Sequence, residues 1–301
     1  MPDWQERIAD DTRPSIRAEH ELRYALAAPL IRASTRWCDL GCGSGIGAAA
    51  ALAGKAYAGR ALLVDREQAV ADRAAAAIGR RRAVALAADL ATPEGVAQVR
   101  GALGDRDDPL LVTCFETIEH LDDFAPLVAL LVELAARPGA TVVLSVPNDA
   151  FWAIENPHHT TSWGEGAVEE LRALLPADHV VLHQFALNGS AIADPAESAD
   201  GSAAFALAPG VPSHVLLAFG DGAEQFAGAP VARVVQSDVE AQRRWERQRE
   251  SDLLYYATAV KALEERLAAA EQAAAEAAAA AAPAPASDDE ASDAPAASGH
   301  A

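Results

Sequence analysis

Apolar positions along this chain fall into short unbroken runs, each followed by a glycine turn or an acid. Trp37-Cys38-Asp39-Leu40 opens onto Gly41-Cys42-Gly43-Ser44-Gly45. Arg60 to Asp65, Ala83 to Leu90, Pro109 to Phe115 and Thr141 to Val146 are four more such runs. Runs of this length read as buried strands. Between them lie helical stretches: Ser15–Ile31, the alanine-rich segment after Gly45, Glu67–Gly79 with Gly79 as the stop, and Phe124–Arg137 ending at Pro138-Gly139. Strand and helix in alternation predict an α/β fold around a doubly wound parallel sheet. Glu165–Leu175 reads as one more helix, and His179–Leu187 and Ser213–Phe219 as two further strands. Asn188–Pro212 between them is long, small and polar, the composition of a lid or of a disordered segment.

From about Ser237 the pattern changes period. Val239 to Ala280 contains no glycine or proline, and Leu253, Tyr256, Val260, Leu263, Leu267, Ala270 and Ala274 follow alternating spacings of three and four. That is a heptad seam fading into alanine. A second copy of the chain, the chain's own folded domain, or solvent around a lone alanine-rich helix each satisfies it. The expected organisation is an N-terminal helical segment over 1–35, a folded domain over 36–222, a long helix or coiled coil over 237–282 and a disordered acidic tail over 283–301.

Composition narrows the partners. The formal net charge is −20, which opposes a general electrostatic grip on nucleic acid. The basic cluster Arg80-Arg81-Arg82 reads as a solvated turn. Three cysteines in 301 residues do not make a disulfide framework, and Cys38 and Cys42 are expected to pack as small apolar groups. A basic and apolar leader and a membrane span are both absent from the pattern, so the expected location is cytoplasmic.

The glycine turn carries the first chemistry. Alternating glycines remove the Cβ atoms that would keep a ligand from the backbone. The helix start beyond them offers unpaired N–H groups to a carboxylate or phosphate. Two ligand readings coexist. Gly43, Gly45 and Ala48, with Asp65 on the next strand, satisfy a dinucleotide fingerprint. Asp39, Gly41, Gly43 and Gly45 spell D-x-G-x-G-x-G, which resembles motif I of class I S-adenosylmethionine-dependent methyltransferases. An acid ending the second strand, Asp65, is placed for ribose hydroxyls in either reading. Asp89, ending the third, matches the acid that such methyltransferases use for the adenine amino group; it also reads as an ordinary acid near the helix start at Thr92-Pro93-Glu94.

The segment after the fourth strand decides between them. Glu116-Thr-Ile-Glu119-His120-Leu121 resembles the E-x-x-E-H element of glycan-associated, quinone and small-molecule methyltransferases, and Pro138-Gly139, the fifth strand and Pro147-Asn148 recur there in the same order. Glu19-His20-Glu21-Leu22-Arg23-Tyr24 resembles their E-H-x-x-R-Y helix, which helps close the cofactor site. Asn156-Pro157-His158-His159 resembles their N-P-x-H element. The resemblance covers residues 15–220. It implies a seven-stranded Rossmann-like sheet closed by an antiparallel hairpin, and S-adenosyl-L-methionine as cofactor on Asp39, Gly41, Gly43, Gly45, Asp65, Asp89 and Glu116.

Glu116, Glu119 and His120 at i, i+3 and i+4 would share one side of a helical turn. An imidazole titrates near neutral pH and suits removal of a hydroxyl proton. His120, Glu119 and His159 are therefore the catalytic candidates, for O-methylation of a sugar, glycan precursor or other small hydroxylated molecule. Two carboxylates and two imidazoles also suit a divalent metal. Glu116, Glu119, His120 and His159 resemble the metal ligands of small-RNA 3′-terminal 2′-O-methyltransferases, although the fuller histidine-rich and aromatic run of that family is missing here. A non-catalytic methyltransferase-like platform, meeting partners through the C-terminal helix, is the remaining function class.

Overall fold

The computed structural model describes residues 8, 12, 14–52, 54–55, 57–152, 156, 158–185, 212–227 and 239–281. The chain divides into two compact units, Met1–Val235 and Gln236–Ala301. The first unit runs α1 (Pro14–Ala33), β1 (Arg36–Leu40), α2 (Ile46–Leu52), β2 (Arg60–Asp65), α3 (Gln68–Ile78), β3 (Ala83–Ala87), α4 (Pro93–Leu103) and β4 (Leu110–Phe115). It continues through α5 (Ala125–Ala135), β5 (Ala140–Pro147), α6 (Asp149–Trp152), α7 (Glu165–Ala173), β6 (Val180–Gln184) and β7 (His214–Gly220). The second unit contributes α8 (Val239–Ala281).

The seven strands form one sheet in the order β3-β2-β1-β4-β5-β7-β6. The first five strands are parallel, and β7 is antiparallel to both β5 and β6. This is the doubly wound sheet that the alternation of strand and helix predicts, closed by the antiparallel hairpin that the resemblance implies. Every residue of β1, β4 and β5 is buried, because helices cover both faces of the sheet. On one face α4, α5 and α7 bring Val96, Val99, Leu127, Leu130, Leu131, Leu134 and Leu171. On the other, α1, α2 and α3 bring Tyr24, Ile31, Ala48, Ala51, Ala74 and Ile78. Small side chains let α2 and α3 approach closely: a Cβ on Gly45 would stand 2.5 Å from the Ala74 Cα.

Helix boundaries follow local chemistry. Thr92 caps α4 by accepting a hydrogen bond from the Gly95 amide at 3.0 Å, with Pro93 in the first turn. Gly79 closes α3 at φ +104°. Cys38, Cys42 and Cys114 are all buried and unlinked. Arg80, Arg81 and Arg82 are exposed in a turn. Among the described residues no helix is long and apolar enough to cross a membrane. The stretch 188–211 and the tail 283–301 lie outside the described residues.

Candidate active site

The candidate side chains gather at the C-terminal ends of β1, β2, β4 and β5, the edge where open α/β sheets bind ligands. The glycine turn lies against β2: the amides of Gly41 and Cys42 both donate to the Val64 carbonyl at 2.9 Å, one residue before Asp65. Gly41, Gly43 and Gly45 all have positive φ, at +76°, +53° and +80°. The three differ in what surrounds them. A Cβ on Gly41 would fall 2.1 Å from Thr117 Oγ1, because the tip of β4 packs onto the turn. Gly45 is blocked by Ala74, as above. Around Gly43 there is nothing within 4 Å. Gly43 is therefore the point of the turn that faces open space and leaves backbone accessible.

Asp39 sits beneath that turn at 0 % exposure. Tyr24 Oη donates to its carboxylate at 2.9 and 3.1 Å, and Thr113 Oγ1 donates at 2.5 Å while accepting from Trp37 Nε1 at 2.9 Å. Burial pushes the Asp39 carboxyl up to about 7, against the lowering effect of the Thr113 and Tyr24 hydroxyls. Asp65, 7 % exposed, accepts from the Glu67 amide at 3.1 Å. Asp89 is exposed and accepts from the Ala91 amide at 3.0 Å, so the structure gives it a turn-stabilising bond as well as access to solvent.

Glu116 and Glu119 part company. The residues after β4 form a single 3-10 turn, Ile118–His120, which leaves Glu116 outside it, at φ +50°. The expectation that Glu116, Glu119 and His120 share a helical face does not hold, because β4 runs out in a left-handed residue before the turn begins. Glu116 Oε1 accepts from Ser145 Oγ at 2.6 Å, and Oε2 lies 3.1 Å from His214 Nε2 and 3.9 Å from the Arg23 guanidinium. Burial opposes its charge, but Arg23 and His214 outweigh burial and hold the carboxyl well below the usual carboxylate range. Arg23 also donates to Gln184 Oε1 at 2.9 Å and lies beside His20 Nδ1 at 3.5 Å. Burial first, then Arg23, pushes the His20 imidazole down to about 3. Trp152 flanks His214, with ring centroids 5.8 Å apart. Sequence reasoning does not single out Ser145, Gln184 or His214, and His20 enters only as part of the E-H-x-x-R-Y helix. Arg23 and Gln184 are 161 residues apart, so only the E-H-x-x-R-Y helix carried a signal for the group.

Glu119, His120 and His159 come together instead. Each offers a ligand atom, and these atoms all lie within 4.8 Å of one another. Glu119 is 1 % exposed, His159 is partly buried and His120 is exposed. The rings of His120 and His159 meet edge to face at 5.0 Å. His120 Nδ1 lies 3.2 Å from the His158 carbonyl; a carbonyl only accepts, so Nδ1 carries the proton and Nε2 is the acceptor nitrogen. The second segment is fixed by Asn156, whose Oδ1 accepts from the His158 amide at 3.0 Å and whose Nδ2 donates to His159 Nε2 at 3.0 Å. Thr160 ties the two segments together, its amide donating to the Glu119 carbonyl at 2.8 Å. Such a trio suits proton removal from a hydroxyl, or one face of a divalent cation.

A family model described as a methyltransferase domain matches residues 15–189. The chain belongs to that family. The methyltransferase is of class I and S-adenosylmethionine-dependent, with the seven-stranded sheet described above. Three solved structures illustrate what the chain is similar to. The methyltransferase domain of bacterial CtHen1-C is 18% identical, with 67% of this chain and 98% of that one covered and a TM-score of 0.43. The small RNA methyltransferase HEN1 is 17% identical, with 76% of this chain but 28% of that one covered and a TM-score of 0.46. The N-methyltransferase NodS from Bradyrhizobium japonicum WM9 is 17% identical, with 70% and 98% covered and a TM-score of 0.41. No curated protein matches the chain. The methyltransferase's cofactor fits the turn on one observation above all: a Cβ on Gly43 would meet nothing within 4 Å, so the glycine leaves open a place that any side chain would fill.

Proposed function

We propose that this methyltransferase acts on a hydroxyl oxygen of a sugar, glycan precursor or other small hydroxylated molecule. The observation that carries the proposal is the convergence of Glu119, His120 and His159 within 4.8 Å. S-adenosylmethionine supplies an already activated methyl group. The chain's own task is then to orient the acceptor and take its proton. His120 is the exposed member with an acceptor nitrogen, and it takes the proton. His159 is held beside it by Asn156, and the buried Glu119 favours the cationic imidazole that results. In this reading Gly41, Gly43 and Gly45 form the bed of the cofactor. Asp65 accepts from its ribose and Asp89 from its adenine, and Glu116 borders its amino-acid end. Asp39, 0 % exposed, acts through the turn it supports. The charge of −20 favours an uncharged acceptor over a polyanion.

The same trio supports a second reading, in which Glu119, His120 and His159 hold a divalent cation that would bind and polarise the acceptor hydroxyls. Glu116 does not belong to that set, being engaged by Ser145, His214 and Arg23. One experiment separates the readings. Purified protein is assayed for labelled methyl transfer to a panel of hydroxylated acceptors, before and after EDTA treatment and metal repletion. Activity that survives EDTA supports the imidazole base. Activity lost to EDTA and restored by a divalent metal supports the cation. Methylation of amines alone contradicts the hydroxyl proposal.

A further inference from the structure

We infer that α8 pairs with α8 of a second copy as a parallel, in-register, two-stranded coiled coil. The helix runs for 43 residues, and its large apolar side chains are laid out in the open. Leu253, Tyr256, Val260, Leu263 and Leu267 are 58, 64, 54, 58 and 60 % exposed. They are spaced three, four, three and four apart, and Ala270 and Ala274 continue the series. Leu253, Val260, Leu267 and Ala274 take the a positions of a heptad, and Tyr256, Leu263 and Ala270 take d. At 1.5 Å per residue this seam is about 30 Å long. Leu254 and Tyr255 take the b and c positions of its first turn, outside the seam. The side-chain bond from Gln272 to Glu276, at 2.9 Å, lies on the outer face.

Three features commit the seam to a second copy of this chain. A β-branched Val260 at a followed by Leu263 at d favours two strands. The flanking positions are complementary in the parallel arrangement: Arg266 at g faces Glu271 at e of the second copy, and the preceding g positions, Ala259 and Asp252, face Glu264 and Ala257 with no like-charge pair. The antiparallel arrangement that keeps the same apolar residues together pairs Arg266 with Asp252 but sets Glu264 against Glu264, so the parallel one, free of like-charge pairs, is the better match.

The test uses the full chain. Sedimentation equilibrium should return about twice the 31.3 kDa chain mass, falling to one chain mass on dilution. The double substitution Val260→Glu/Leu263→Glu should give a monomer whose S-adenosylhomocysteine affinity is unchanged. Arg266→Glu should weaken the dimer, and Arg266→Glu/Glu271→Arg should restore it. Ala270→Cys should cross-link into dimers on mild oxidation, since the native cysteines are buried. A single-chain mass at every concentration, as expected if the seam packs on the chain's own domain, would overturn the inference. So would a dimer indifferent to Val260→Glu/Leu263→Glu. A dimer that Ala270→Cys fails to cross-link would overturn the parallel register.

Discussion

At the scale of single residues, the three glycines of the turn do different jobs, and substitution separates them. Gly43→Ala meets no neighbour within 4 Å. It bears only left-handed strain of about 1–2 kcal/mol, so the domain should still fold. Its methyl group would project into the cofactor's bed, and calorimetric titration should show S-adenosylhomocysteine binding weakened by about tenfold or more. Gly45→Ala adds a clash with the Ala74 backbone to the same strain and should cost ~3 kcal/mol or more, read as a lowered melting temperature. Equal effects of the two on folding would contradict the assignment.

Asp39 gives a second residue-scale prediction. Its folded pKa of about 7 exceeds the ordinary value of 3.8, so between those limits the native state binds more protons than the unfolded state. Stability from this group is complete below pH 4 and lost as pH rises to about 7. His20, pushed down to about 3, acts in the opposite sense: its native state binds fewer protons than the unfolded state, so stability rises with pH up to about 6.5. The two partly cancel in the wild type. Asp39→Asn removes one of them, and denaturant titrations from pH 4 to 7 should then show stability rising with pH. The divergence between the two proteins across that window should be on the order of 4 kcal/mol at most. Parallel curves would refute the buried-carboxyl account.

At the scale of elements, α1 is fastened to the sheet by polar bonds as well as by its apolar face. Tyr24 reaches Asp39 on β1, and Arg23 reaches Gln184 on β6 and Glu116 beyond β4. Tyr24→Phe keeps the ring's contact with Phe115, at 5.0 Å, and removes only the hydroxyl. It should cost about 1–3 kcal/mol in thermal or denaturant unfolding. Thr92→Ala, which uncaps α4, should cost about 0.5–2 kcal/mol in thermal or denaturant unfolding. If Tyr24→Phe left stability untouched, the Tyr24–Asp39 bond would have no share in holding α1.

At the scale of the whole molecule, the parts legible in sequence are those with a local signature. Strand and helix alternation, the glycine turn and the stops at Gly79 and Gly139 each depend on neighbours in the chain, and the strands fell within a few residues of the expected ranges. The pairing of His120 with His159 was also within reach, because they lie in the connections that follow β4 and β5, and those strands are adjacent. The Arg23–Glu116–His214 group was not. Its members come from α1, the tip of β4 and β7, and only the completed sheet brings them together. Nor does spacing reveal that Glu116 takes φ +50° and turns away from Glu119. An i, i+3, i+4 pattern presumes a helix, and β4 ends in a left-handed residue first.

The central claim is that a methyltransferase fold here serves an acceptor base built from Glu119, His120 and His159. Its most direct test is single-turnover transfer of labelled methyl to a responsive hydroxylated acceptor by wild type, His120→Ala and His159→Ala, with S-adenosylhomocysteine affinity measured beside each. The account predicts a loss of ~100-fold or more in the transfer rate of His120→Ala, a smaller loss in His159→Ala, and cofactor affinity within about threefold of wild type in both. Full transfer by both variants, or loss of cofactor binding in step with activity, would contradict it.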